Sequence, residues 1–245
     1  MKAFWLSWAW ASMPDPRTLA VAIDTSSDLA GVALVEDGLL LAETTWRTRR
    51  NHSRELLPTL DWLLSRANRA KEDIGAVFVC TGPGSYAGLR VGMSTAKALA
   101  FALGAQIVGV GRLEADAEPL VRLTEGRVVA VQAAGRAELA WAAYQQDDLG
   151  FLREVAPPQL CPLGSLRQFL EQDDIVILEM RTLDASSLGS LAAQTLMTTG
   201  LVEALTPRVA AVARIGRMRW ATGAVDNPDT LVPLYLRAPA IGPQN

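Results

Sequence analysis

The chain has 245 residues, half of them hydrophobic and a fifth charged, which excludes a disordered or fibrous protein and leaves room for one large globular domain or two small ones. A formal net charge of −3 excludes nucleic-acid binding through global charge, because phosphate binding needs a clustered positive surface. Two distant cysteines, Cys80 and Cys161, and a single histidine, His52, exclude a disulfide framework, argue against a buried zinc or iron centre, and fit a reducing cytoplasm.

The first dozen residues, MKAFWLSWAWAS, combine a lysine, a short apolar run with three tryptophans, and small residues at the end. That is the outline of a signal peptide, and it is too short to span a bilayer as a helix. The preferred reading is instead a start at Met13, because the first strand-like run begins only at Leu19; the third reading is a disordered tail, which three exposed tryptophans suit poorly. Leu19–Ile23 predicts a buried strand, followed by the polar turn Asp24-Thr25-Ser26-Ser27. Gly31–Val35 and Leu39–Thr45 predict two further strands, joined by the hairpin signal Glu36-Asp37-Gly38. The chain thus opens on an antiparallel meander.

Arg47 to Arg54 is basic and polar. Leu56, Leu57, Leu60, Leu63 and Leu64 then recur at helical spacing to about Ala67. Ser53 is a candidate N-cap, and Pro58 predicts a helix that starts later than Ser53. Ala76–Thr81 is a continuous apolar run, the mark of a buried parallel strand, and leads into Gly82-Pro83-Gly84-Ser85-Tyr86-Ala87-Gly88. Leu89, Met93, Ala96, Leu99, Ala100 and Leu103 outline a second helix, ended by Gly104. Ile107–Val110 is another strand. The order β-β-β-α-β-α-β implies helices crossing over a mixed sheet.

Arg112–Arg122 reads as helix, and Val128–Val131 with Leu139–Tyr144 as a second hairpin. Pro157, Pro158 and Pro162 punctuate a predicted loop. Ile175–Leu178 is a short strand, and Ser187–Thr199 a helix capped by Gly200. Val209–Trp220 is a last helix, carrying Arg214, Arg217 and Arg219. The closing Val232–Arg237 is too short and proline-flanked for a central strand. The domain reading is an N-terminal extension over 1–18, a first unit over 19–111, a second over 112–230 and a tail over 231–245.

Several groups of residues could carry chemistry. Asp24, Thr25 and Ser26 follow a buried first strand and could face a phosphate or its metal; an ordinary turn is the simpler account. Gly82, Gly84 and Ser85 belong to a glycine loop between a strand and a helix, where backbone amides can meet an anion, although no GK[ST] follows as in a P-loop. Gly92, Ala96 and Ala100 form a small-residue stripe on one helix face, suited to internal packing or to a subunit seam. Arg49, Arg50, His52 and Arg54 form a basic segment that could meet tRNA or an acidic partner, as could the later arginines; a solvated face is the plainer reading. No nucleophile pairs with His52 in the sequence, which favours a surface histidine over a general base.

Taken together, LAVAIDTSS (Leu19–Ser27), NHSRELLPTL (Asn51–Leu60), GPGSYAGLRVG (Gly82–Gly92) and PLYLR (Pro233–Arg237) resemble the TsaB family. That family's loop usually reads GPGSFTGLR, so Tyr86 and Ala87 depart from it. An Asp-Ala-Arg turn expected in the second unit is replaced here by Gln132-Ala133-Ala134-Gly135-Arg136. The resemblance implies an α/β fold of two similar actin-like (ribonuclease H-like) domains, each a mixed sheet flanked by helices. It implies a cytoplasmic, non-catalytic partner subunit of the complex that installs threonylcarbamoyladenosine on tRNA. The partners implied are a TsaD-like catalytic subunit and a TsaE-like ATPase, with tRNA met through the complex, a homodimer as a second state, and no membrane. No cofactor is required by the chain alone; ATP or ADP would sit at the partner interface. The pairing in that family uses the two helices of the first domain, which makes Leu56, Leu60, Leu63, Leu64, Gly92, Met93, Ala96 and Ala100 the interface candidates. The alternative is a kinase-like enzyme that binds or hydrolyses nucleotide with Asp24, Thr25 and the glycine loop. A secreted protease, the third reading, finds no serine, cysteine or metal constellation to support it.

Overall fold

The structure, a computed structural model, describes residues 18–49, 51–135, 137–178 and 207–236. The Met13 start, Arg50, Arg136, the helix expected at Ser187–Thr199 and Arg237 lie outside the described residues. Strands β1 (Leu19–Asp24), β2 (Leu29–Glu36) and β3 (Leu39–Arg47) form the expected meander. Its tight turn is Asp37-Gly38, both at positive φ, as a two-residue hairpin of the primed type demands. Helix α1 (His52–Arg66) leads to β4 (Ile74–Gly82), and helix α2 (Tyr86–Leu103) leads to β5 (Gln106–Gly111). The five strands lie in the order β3-β2-β1-β4-β5, with β4 parallel to β1 and β5 parallel to β4.

Helix α3 (Arg112–Val121) connects to a second sheet of β6 (Val128–Gly135), β7 (Glu138–Gln146), β8 (Leu152–Pro162) and β9 (Ile175–Leu178). Its order is β8-β7-β6-β9, with β6, β7 and β8 antiparallel and β9 parallel to β6. This repeats the topology of β3-β2-β1-β4: a meander whose first strand also takes a parallel neighbour. The two sheets are therefore two versions of one mixed α/β unit.

Two boundaries differ from the sequence reading. Helix α1 begins at His52, behind Asn51, and runs through Pro58 rather than starting after it. Pro58 sits on the exposed side, while Leu56, Leu60, Leu63 and Leu64 bury the opposite side on both flanks of it. That burial, about 1.5–3 kcal/mol per leucine, outweighs one missing backbone bond. The prolines expected to mark a loop lie instead in β8, an edge strand. The pairing of β7 with β8 shifts register between Trp141–Gln159 and Ala143–Ala156, so Pro157 and Pro158 fall where no ladder bond is asked of them.

The first sheet is covered on both faces. On one, α1 and α2 pack Leu56, Leu60, Leu63, Leu64, Met93, Ala96 and Ala100 onto Val21, Ile23, Val77 and Val79. On the other lies helix α4 (Arg208–Ala221), whose Val209, Val212 and Ile215 meet Ala22, Ala33 and Phe78. The C-terminal helix thus returns to the first sheet, although its place in the chain put it within 112–230. Three ion pairs bind α4 to α3: Arg208–Asp116 at 2.5 Å, Arg214–Glu118 at 2.6 Å and Arg219–Glu114 at 2.5 Å. Arg217 lies over the Trp220 ring at 5.6 Å. The arginines of this helix that sequence offered to tRNA are engaged internally. Among the described residues no helix is long and apolar enough to cross a membrane.

Gly216 lets α4 press onto Phe78: a Cβ there would strike the Phe78 ring. Gly216→Ala is expected to lower stability by about 1–3 kcal/mol through overpacking. Gly164→Ala, whose Cβ meets nothing within 4 Å, should change it by less than about 0.5 kcal/mol. Denaturant midpoints of the two variants check this.

Candidate functional site

The two motifs that sequence offered as a phosphate site lie against each other. Asp24 ends β1, and Thr25 and Ser26 turn toward the start of α2. The Ser85 amide donates to the Ser26 carbonyl at 2.7 Å, and the Thr25 hydroxyl donates to the Gly88 carbonyl at 2.8 Å. A Cβ on Gly84 would strike the Ser26 carbonyl, one on Gly88 the Thr25 carbonyl, and one on Gly92 the Thr25 hydroxyl. Gly84 and Gly88 of the loop thus serve a backbone contact between the β1–β2 turn and helix α2, and Gly92 of the small-residue stripe makes room for the Thr25 hydroxyl. Gly82 takes φ +102 before Pro83, to which it is joined by a cis peptide bond. Ser85 caps α2, its hydroxyl accepting the Gly88 amide at 3.3 Å.

Asp24 is buried, and its carboxylate already has partners. Its Oδ1 accepts the Ser26 amide at 2.9 Å, and its Oδ2 lies 3.3 Å from the Arg208 guanidinium of α4. The same Arg208 nitrogen reaches the Ser27 hydroxyl at 3.3 Å, and Arg208 pairs with Asp116 of α3. Arg112 lies 3.7 Å from Asp116 and points a nitrogen at the Ser26 carbonyl, 3.5 Å away. Burial pushes the Asp24 carboxyl up, but Arg208, the Ser26 bonds and Arg112 together hold it below the usual carboxylate range. Burial, and then the neighbouring Asp24 charge, push the Cys80 thiol far above its ordinary range, which leaves it unreactive. The second-unit counterpart of the Asp24 turn is Gln132, buried near the end of β6.

His52 is buried rather than a surface residue. Its Nε2 lies 3.0 Å from the Ser27 carbonyl, an acceptor only, so Nε2 carries the proton and donates. It ties the start of α1 to the same turn that α2 holds. Arg49 and Arg54 are exposed. The eight interface candidates, Leu56, Leu60, Leu63, Leu64, Gly92, Met93, Ala96 and Ala100, are all buried beneath the sheet or the Thr25 turn. They are core because the most apolar stripe of a helix on a sheet faces the sheet. The outward faces carry Leu57 at 51% exposure, the one leucine of the periodic set that is not buried, with Trp62 at 55% and Phe101 at 91%, which apolar periodicity did not single out. Their signal was a large apolar side chain out of phase with the buried stripe.

In the wild-type protein, the lowered Asp24 carboxyl contributes stability above the usual carboxylate range and loses it as pH falls through its depressed value. Arg208→Met leaves that charge buried without its main counter-ion, at an expected cost of about 3–5 kcal/mol at neutral pH. The cost should shrink in mild acid, where the carboxyl of the variant takes up a proton. Urea midpoints of the two proteins across that range measure it; a pH-independent difference would contradict the charge account.

Comparison with known proteins adds the family. The model described as "TsaD: tRNA N6-adenosine threonylcarbamoyltransferase" matches residues 41–198. The tRNA threonylcarbamoyladenosine biosynthesis protein TsaB of Bacillus subtilis is 31% identical over 220 residues, covering 89% of this chain and 93% of that protein. The protein of the same name from Escherichia coli is 34% identical over 131 residues, covering 53% of this chain and 56% of that one. The solved structure of YeaZ from Pseudomonas aeruginosa shares the fold, with a TM-score of 0.71 at 23% identity, covering 89% of this chain and 100% of that one. With two topologically repeated mixed sheets and a TsaB relative aligned over nearly its whole length, the chain belongs to the TsaB family.

Proposed function

We propose that this chain acts in tRNA threonylcarbamoyladenosine biosynthesis as a non-catalytic subunit that pairs with a TsaD-type transferase in the cytoplasm, with a TsaE-type ATPase as a further component. The observation that carries the pairing is the outward face of α1 and α2, where Leu57, Trp62 and Phe101 stand in solvent. Large exposed apolar side chains of this kind anchor protein interfaces. The seam therefore uses the two helices the family resemblance names, through the residues opposite the buried stripe. Self-association through the same face is the state expected without the partner.

The non-catalytic reading is supported by how the would-be chemical groups are used. Asp24 is ion-paired with Arg208, His52 is hydrogen-bonded to a backbone carbonyl, and the glycines of the loop are closed onto Thr25 and Ser26. A kinase-like enzyme would need the Asp24 carboxylate and the loop amides open to a phosphate and its metal. ATP or ADP, where it takes part, belongs at the seam with the transferase.

Light-scattering mass after mixing the chain with the TsaD-type protein of the same organism tests the proposal. A one-to-one complex is expected, weakened at least about thirtyfold by Trp62→Arg or Phe101→Arg. No complex, together with nucleotide turnover by the chain alone that Asp24→Ala abolishes, would replace the subunit reading with the kinase-like one.

A further inference from the structure

The outer surface of α1 and α2 has a second end with different chemistry. Strands β1, β3 and β4 run in one direction, so α1 and α2 both run back against them and place their N-termini together. The His52 ring, beside Gly88, confirms the adjacency. At this end Tyr86 and Tyr235 are exposed, at 43% and 37%, with ring centroids 4.9 Å apart and planes tilted by 36°. The Arg90 guanidinium lies over the Tyr86 ring, 5.5 Å from its centroid. The C-terminal strap holds Tyr235 in place: the Leu234 amide donates to the Thr81 carbonyl at 2.7 Å, and the Leu234 carbonyl packs beside Gly82. Arg49 and Arg54 are exposed just before α1 and in its first turn. Of the carboxylates nearby, Glu55 is bonded by the Trp46 indole and Asp28 stands exposed in the β1–β2 turn. Helix α2 itself carries Arg90 and Lys97 and no acidic residue.

We propose that Tyr86, Tyr235 and Arg90 form a stacking site for an unpaired base of RNA, with Arg49 and Arg54 placed for the phosphates that flank it. The proposal rests on the tRNA-modification reading and adds to it a contact made by this subunit itself. Aromatic faces interleaved with guanidinium groups accept any base and its phosphate, and they require the base to be free of a duplex. A protein partner is the poorer fit here. The anchor Phe101 lies fifteen residues along α2 from Tyr86, about 22 Å away, so the apolar anchor and the cationic aromatic end are separate zones.

The test uses a fluorescently labelled anticodon stem–loop RNA and a blunt RNA duplex of equal length. Each is titrated by anisotropy against the full chain and against its complex with the TsaD-type protein. The stem–loop should bind more tightly than the duplex. Tyr86→Ala and Tyr235→Ala should each weaken stem–loop binding about tenfold, and Tyr86→Phe should restore it. Arg90→Gln should weaken binding and lower the salt slope by about one. Equal binding of stem–loop and duplex, no RNA binding in either form, or alanine variants that bind as wild type would each overturn the site. The mass of the complex, measured alongside, separates the two proposals. A complex intact in wild type but lost in Tyr86→Ala assigns the tyrosines to the protein seam, which overturns the stacking site and leaves the subunit reading standing.

Discussion

The contact on which the rest of the first unit depends is the approach of the Thr25-Ser26 backbone to the start of α2. Ser85 donates to Ser26, Thr25 donates to Gly88, and each of Gly84, Gly88 and Gly92 leaves out a side chain that would fall on that turn. Because the contact is made by backbone and the short Thr25 hydroxyl, it fixes α2 at a set depth over β1. From there α2 carries Met93, Ala96 and Ala100 onto the sheet, and α1 follows through His52 and its bond to Ser27. A turn that binds phosphate must keep its amides open to a ligand. Here the Ser85 amide is bonded to Ser26 and the Gly88 amide to the Ser85 hydroxyl, and Gly88 and Gly92 make room for Thr25.

Electrostatics complete the closure from the other face of the sheet. Asp24 lies where β1 ends, and Arg208, at the first turn of the last helix, reaches it across the sheet's edge. A buried ion pair adds little stability by itself, but removing one partner is costly, so it acts as a latch on the arrangement. Arg208 also meets Asp116, and Arg214 and Arg219 meet Glu118 and Glu114. Helix α3, which links the two sheets, is held through these pairs to a helix packed on the first sheet. The C-terminal segment therefore fastens the connection between the two units, which explains why chain order misplaces it.

Much of the architecture was legible in the sequence, and the exceptions share a cause. Continuous apolar runs marked β1 and β4 because both are covered on two faces, and Asp37-Gly38 marked its hairpin because few residues tolerate two successive positive φ angles. Pro58 misled because local propensity was weighed without the leucines on either side of it, and Pro157-Pro158 because an edge strand with a bulge tolerates what a central one does not. The glycine loop was legible as a place of close approach, but nothing in the string says what approaches. Asp24 read most simply as part of an ordinary turn, because its partner Arg208 is 184 positions away and carries no mark that joins the two.

The interface candidates show the same limit in a sharper form. Helical periodicity finds the stripe that is most apolar, and on a helix laid over a sheet that stripe is core: Leu56, Leu60, Leu63 and Leu64 are shielded by the strands they pack on. A partner can use only what remains outside, and there the apolar side chains are few: Leu57 belongs to the periodic set but faces out, and Trp62 and Phe101 stand outside it. Their meaning comes from contrast with their surroundings. Trp62 stands beside Asp61 and Arg66 on the exposed side of α1, and Phe101 is exposed to almost its full extent at the end of α2. At the opposite end of α2, Tyr86 is also exposed, but it is stacked on Tyr235 and covered by Arg90. One helix surface thus divides into an apolar part that gains by leaving water and an aromatic, cationic part whose charge is best met by an anion. Parallel alignment of α1 and α2 sets that division, since it gathers Arg49, Arg54 and Arg90 at one end and leaves Trp62 and Phe101 toward the other.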